Sequence, residues 1–296
     1  MPKRIALPAN FTASALYRFT RDIVGPNLSP SADAIDLDFS AANFIDGTGY
    51  TVLSNTVEWL LYHGVALRFL SFTNLTRPAI VYLDDCGFFA RYAGEALRLG
   101  AACRPSTMPC TAVEHAHSFA WLENTFSPWL GSELKCTHGA LGSIRTCVKE
   151  LFHNINDHSA QSTGFVHCQH YPTKREIRIT VSDFGRGIPT TIRERFGDMS
   201  DHMAILHASQ EGVTAKTKPN NMGAGLNYLI DTVAANLGTV SIFSLSGSLY
   251  TFCGKGGEPE RRAHSGNGNY PGTLVDIALD TRLFVGDEEE RVEVEW

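Results

Sequence analysis

The sequence contains no CxxC pair, no internal repeat, no low-complexity segment and no apolar run fit to cross a membrane. Its most apolar stretch, VLSNTVEWLLYHGVALRFL, carries Glu58, His63 and Arg68, too polar for a spanning helix. The start, MPKRIALPANF, is basic, but Pro8 and Asn10 interrupt any signal-like apolar core. A cytoplasmic location with no membrane partner is the expectation. Cys103 and Cys110 lie too far apart for a usual zinc knuckle. Seven cysteines, an odd number without a compact framework, suit a reducing compartment. Charge is also sparse: 19% of residues are Asp, Glu, Lys or Arg, and the net charge is -6. That balance argues against a generally nucleic-acid-binding surface and leaves room for a local basic patch. What remains is a soluble composition, 43% hydrophobic, in 296 residues, long enough for two ordinary domains.

The first third alternates strand-like and helix-like patterns. RIALP, AIDLDFS and ALRFLSF read as strands. TASALYRFTRDIV, GYTVLSNTVEWLLYHG (stopped by Gly64) and the Pro-initiated TRPAIVYLDDCGFFARYAGEAL read as helices. The alternation predicts an α/β layer structure. GAACRPSTMPCTA, 100–112, has two prolines and small residues and is expected to connect two domains, over 1–105 and 112–285. The aromatic-rich HAHSFAWLENTFSPWL comes next. A long helix follows, with Ile144, Val148, Leu151 and Ile155 at helical spacing. Then come the strands TGFVHCQHY and EIRITVSDFG, a turn-rich region from Gly197 to Asn221, and the helix GAGLNYLIDTVAANLG. The strands TVSIFSLSG, GSLYTFCG and GTLVDIAL follow. An acidic tail, 286–296, closes the chain. The expected second domain is an α/β sandwich whose mixed sheet is covered by helices.

Three stretches concentrate chemistry. On the long helix, KELFHNINDHS places Glu150, Asn154 and Asp157 on one face, beside the apolar stripe. DFGRGIP follows a strand directly, so Asp183 is a carboxylate at a strand end. Gly185 and Gly187 allow a sharp turn and a close ligand approach. NNMGAGLNYL puts Gly223 and Gly225 before a helix, whose N-terminus presents N–H groups and a positive dipole end to an anion. HCQH, 167–170, has metal-ligand residue types. It lies in an extended run whose alternate residues face opposite ways, which does not favour a shared metal.

In this order, E-x-x-x-N, D-x-G-x-G and G-x-G-L resemble the N, G1 and G2 boxes of the GHKL superfamily, the Bergerat-type ATP-binding fold. PGTLVDIAL resembles its final motif, and the likeness runs over roughly Ala112 to Leu283. The resemblance implies ATP and Mg²⁺ as ligands. It assigns Asn154 as Mg²⁺ ligand through its amide oxygen, and Glu150 as the catalytic acid that orients or deprotonates the attacking group. Asp183 is assigned as acceptor of the adenine amine. Gly185, Gly187 and Ile188 form the first glycine box, Gly223, Gly225 and Leu226 the phosphate side, and Thr273 supports the adenine site. Residues 197–222 become a mobile lid, with Lys216 and Lys218 as candidates to meet phosphate. Asp157 followed by His158 is more like the anti-sigma-factor serine kinases than the two-component histidine kinases, and both join the ATP-binding set.

AIDLDFSAANFIDGTGYTVLSNTVEWLLYHGVALRFLSF resembles a STAS domain, over roughly Arg4 to Arg98. Gly47 stands where that family's phosphorylated Ser follows the Asp. Thr48, next along, is a candidate regulatory phosphoacceptor or a helix cap. Together the resemblances imply a regulatory ATP-binding protein that signals to a protein partner, with Ser/Thr kinase activity as one outcome. The alternatives are a hydrolysis-driven dimerisation switch, with a homodimer as partner state, and a nucleotide-binding module without catalysis.

Overall fold

Ile35 and Leu37 are fully buried at the centre of the first sheet, and they show how the first third is built. In chain order it runs β1 (Lys3–Ala6), β2 (Asn10–Phe11), α1 (Leu16–Thr20), β3 (Ala34–Asp38), β4 (Phe44–Ile45), α2 (Gly47–Tyr62), β5 (Ala66–Leu70), α3 (Pro78–Asp85) and α4 (Phe88–Tyr92). The protein is described by a computed structural model covering residues 1–137, 139–158, 162–213, 225–254 and 257–284. β1, β3 and β5 form a parallel sheet in that order. Parallel neighbours need a crossover, and α2 supplies it between β3 and β5. Asp46 caps α2 by accepting the Gly49 N–H at 2.8 Å, a contact that stabilises a helix by about 1 kcal/mol. Gly87, at φ 77°, breaks the helix expected from Pro78 onward into α3 and α4.

The rest of the chain runs β6 (Thr107–Glu114), α5 (His115–Trp121), α6 (Ser127–Leu134), α7 (Gly142–His158), β7 (Thr163–Tyr171), β8 (Glu176–Asp183), α8 (Ile188–Phe196), α9 (Asp201–Ala208), α10 (Gly225–Ala235), β9 (Thr239–Cys253) and β10 (Pro259–Asp280). The strands form one sheet in the order β6-β7-β8-β10-β9. The α/β class with a helix-covered sheet matches the expectation. Every pairing in this sheet is antiparallel, however, where a mixed sheet was expected. β6 starts inside the stretch read as an inter-domain connection. It tolerates Pro109 because it is an edge strand with a register shift between Met108 and Thr111. β9 and β10 are longer than their sequence suggests. Leu245, at φ 52°, bends β9 without ending it, and two register shifts carry β10 through its Gly/Asn-rich part.

The two faces of this sheet differ. Ile177, Ile179, Val181, Ile242 and Ile277 pack with Val148, Leu151 and Phe152 of α7 and Leu229, Ile230 and Val233 of α10. Phe165, Phe243, Tyr270 and Leu274 join the core of the first third instead. There α2 lies on the sheet, with 13 of its 16 residues buried, so it is a central helix and not a surface one.

This seam is polar. The Thr48 hydroxyl donates to Asp276 Oδ1 at 3.0 Å, Thr180 donates to the same oxygen at 2.9 Å, and Arg178 pairs with Oδ2 at 2.8 Å. Thr48 is fully buried. The expectation of a regulatory phosphoacceptor there is corrected: the hydroxyl is sealed inside the seam, and Asp46, not Thr48, is the cap. Gly47 has its own cause, because a Cβ there would lie 2.6 Å from the His167 ring on β7. The remaining HCQH side chains diverge. The Tyr82 hydroxyl lies 3.0 Å from His167 Nε2, Cys168 is in the opposite core, and His170 Nδ1 meets Glu133 at 2.9 Å.

Candidate functional site

The expected site residues gather on the α7/α10 face of the second sheet. The apolar stripe of α7 is buried as its spacing predicts, with Ile144, Val148, Leu151 and Ile155 all under 6% exposed. That seating leaves Glu150 and Asn154 on the flank. Glu150 Oε1 lies 3.6 Å from His153 Nδ1. The first residue of α10 comes over both: a Cβ at Gly225 would sit 3.5 Å from Glu150 Oε2 and 3.7 Å from Asn154 Oδ1 and Nδ2. A larger residue at position 225 would fill the space beside the carboxylate and the amide. Leu226 follows and packs on the apolar cluster between helix and sheet.

Asp183 ends β8 on the same face, two positions beyond Val181. Its Oδ1 accepts the Gly185 N–H at 2.7 Å, and the Thr273 backbone N–H also reaches the carboxyl. Burial nevertheless dominates and pushes the carboxyl up to about 7, with those two donors pulling the other way. The turn is built around two glycines in the left-handed region, Gly187 (φ 77°) and Gly272 (φ 80°). A Cβ at Gly272 would come within 2.3 Å of the Asp183 carbonyl oxygen. Ser244 ties the turn together. Its Oγ accepts the Ile188 N–H at 3.0 Å, donates to the Gly272 carbonyl at 2.7 Å and lies 3.1 Å from Thr273 Oγ1. Asp183 and Thr273 are direct partners in the β8–β10 register.

Thus two groups share one face: Glu150, Asn154, Gly225 and Leu226 on the helices, and Asp183, Gly185, Gly187, Ile188 and Thr273 at the strand ends. Asp157 and His158 end α7, and their side chains lie outside the described residues, as do Gly223, Lys216 and Lys218. The expected lid, 197–222, is corrected in its first half. α9 is anchored, with Ala204 and Ile205 fully buried. Asp201 accepts from Ser246 N at 2.9 Å and Oγ at 2.6 Å, and pairs with Arg193 at 2.6 Å. Sequence reasoning missed Ser244 and Gly272, and also Asn55, whose Nδ2 donates to the Asp183 carbonyl at 3.2 Å.

The donor types suit a nucleotide with a hard cation. A carboxyl walled by the strand ends has the chemistry to accept an exocyclic amine. An amide oxygen beside a carboxylate offers the kind of oxygen ligand Mg²⁺ takes. The N-terminus of α10 directs its positive end to the same place. Among the described residues, no group of three or more His, Cys, Asp or Glu is arranged to hold a metal by itself. No helix among the described residues is long and apolar enough to cross a membrane.

No known family profile matches the sequence, and no curated protein matches it. Among solved structures, the chain is similar to the B-subunit of the DNA gyrase from Myxococcus xanthus, at 12% identity and a TM-score of 0.28. The match covers 58% of this chain and 47% of that one, so the chain spans about half the length of that structure.

Proposed function

We propose that this chain is a GHKL-type regulatory ATP-binding protein. In this reading, residues 112–285 hold the nucleotide and the STAS-like residues 1–105 form its regulatory partner. The observation that carries the reading is the pairing on one sheet face of a buried strand-end carboxyl, Asp183, with Gly225 lying over Glu150 and Asn154. Asp183 accepts the adenine amine, while Gly185 and Thr273 hold its carboxyl in place. Ile188, packed on the apolar cluster, offers an apolar wall to the base. Asn154 is the protein ligand for Mg²⁺, which when bound offsets charge on the phosphates. Gly225 and the start of α10 receive phosphate oxygens, and Gly223, Asp157 and His158 complete the set.

Glu150 accepts a hydrogen bond from the attacking hydroxyl and aligns it with the terminal phosphate. The reaction proposed is transfer of the terminal phosphoryl group of ATP to a Ser or Thr hydroxyl of a protein partner, with ADP as leaving group and the hydroxyl proton taken up by Glu150. A chain that hydrolysed ATP to drive its own dimerisation would instead release phosphate and self-associate with ATP.

Calorimetric titration of ATP with and without Mg²⁺, on wild type and Asp183→Asn, tests the site. Mg²⁺-dependent binding that the substitution abolishes is the expected result. Absence of binding by the wild type overturns the reading.

A further inference from the structure

Asn55 sits in the middle of α2, fully buried, on the sheet face opposite the candidate nucleotide site. Its Nδ2 donates to the main-chain carbonyl of Asp183 at 3.2 Å. The same side chain lies close enough to the Tyr270 hydroxyl to act on its ionisation. That hydroxyl lies 2.6 Å from Ser182 Oγ, and Ser182 Oγ donates to the Thr273 carbonyl at 3.1 Å. One amide therefore grips β8 directly, beside a pair of hydroxyls that ties β8 to β10. These are the two strand ends that carry Asp183 and Thr273.

The second observation concerns the other end of the amide. Asn55 Oδ1 is buried and has no hydrogen-bond partner among the described residues. A desolvated acceptor without a partner is destabilising, and such groups are few in folded proteins. Leucine has the same branched skeleton of four side-chain heavy atoms, favours a helix and would suit the apolar core around α2. Stability alone does not account for an amide here. Its donor, aimed at the Asp183 carbonyl, does.

We propose that Asn55 is a positioning residue for adenine recognition, contributed by the first third of the chain to a site on the other side of the sheet. The inference rests on the ATP-binding reading above. The direction of the Asp183 carboxyl follows from its main chain, and a recognition hydrogen bond tolerates only about 0.5 Å of displacement. Asn55 fixes that main chain from behind. It touches neither base nor phosphate, so its effect falls on discrimination at the purine 6-position and not on the triphosphate.

The test compares binding of ATP with that of purine riboside 5′-triphosphate, which lacks the 6-amino group, in wild type and Asn55→Leu, with Mg²⁺ present. At pH 8, above the value of about 7 to which burial raises the Asp183 carboxyl, wild type is expected to prefer ATP by about tenfold or more, as for a hydrogen bond to a charged group. In Asn55→Leu that preference is expected to fall to about threefold or less, while affinity for the analogue stays within about twofold. General destabilisation lowers binding of both nucleotides together and leaves their ratio unchanged. An unchanged ratio in folded Asn55→Leu overturns the proposal. No preference in the wild type overturns the ATP reading beneath it. Should Asn55→Leu not fold, Tyr270→Phe breaks the hydroxyl pair beside it while keeping the ring, and the same ratio decides.

Discussion

Asp183→Asn separates recognition from stability. Burial raises this carboxyl from 3.8 to about 7, although the Gly185 and Thr273 N–H groups oppose the rise. Between about pH 4 and pH 7 the folded chain keeps a proton that the unfolded chain has released. Stability is therefore greatest below about pH 4, falls as pH rises through that window, and levels off above it. The difference between 3.8 and about 7, at about 1.36 kcal/mol per pH unit, comes to ~4 kcal/mol by pH 8, of which ~1.5 kcal/mol is already lost at pH 5. Asparagine has no proton to lose, and its side-chain oxygen still accepts the Gly185 N–H. Relative to wild type, Asp183→Asn should therefore gain ~2–3 kcal/mol between pH 5 and pH 8. Urea unfolding at both pH values reads this directly, because all other titrating groups are common to the two chains and cancel. The same variant should lose ATP affinity. A stability difference that stays constant from pH 5 to pH 8 would refute the raised carboxyl. Unaltered ATP binding would refute its role as acceptor.

Glu150→Ala should lower phosphoryl transfer or hydrolysis by about a hundredfold or more while the ATP Kd stays within about twofold, measured by radiolabel transfer and calorimetry. Gly47→Ala should destabilise by about 1–3 kcal/mol in urea melts, because the new Cβ would sit 2.6 Å from the buried His167 ring. His167 is held neutral by burial, down from 6.5 to about 3, so its contribution is present above about pH 6.5 and lost as pH falls toward 3. In His167→Leu, the drop in stability from pH 7 to pH 4 should shrink by ~3 kcal/mol. Thr48→Val removes one of the donors to buried Asp276 and should cost about 1–3 kcal/mol, read by thermal melts at pH 7.

Much of the site was legible because its signals are local. The stripe on α7 sets which way Glu150 and Asn154 face, and a strand running into D-x-G-x-G puts Asp183 at a strand end. What escaped depends on distant partners. Positions 47–62 hold Thr48, Thr51, Ser54, Asn55 and Thr56 but a single charged residue, Glu58. Small polar residues at helical spacing read as a solvated face. Here all five are buried, Thr48 donating to Asp276 and Asn55 to the Asp183 carbonyl across the seam, and nothing near them in the chain announces those partners. The shortage of charge on α2 was the available signal. Residues 259–268 carry no strand signal in the sequence, because Pro, Gly and Asn are poor strand formers, yet residues 259–265 pair with β9 over 247–253. Ser244 had no local signal, since its importance comes from the Gly272 carbonyl that β10 brings to it.

The placement of α2 bears on how this chain can be cut and recombined. A helix inserted between two β-strands of the first third also closes a face of the second sheet, so neither half owns a complete apolar interior. Severing the chain near residue 105 would strip α2 from the second fragment's sheet and bare Phe165, Phe243, Tyr270 and Leu274 on that same sheet. Grafting the first third onto a foreign sheet would require matching Gly47 to a histidine, Thr48 to a buried aspartate and Asn55 to a strand-end carbonyl at once. The two parts should therefore melt together, as a single calorimetric transition.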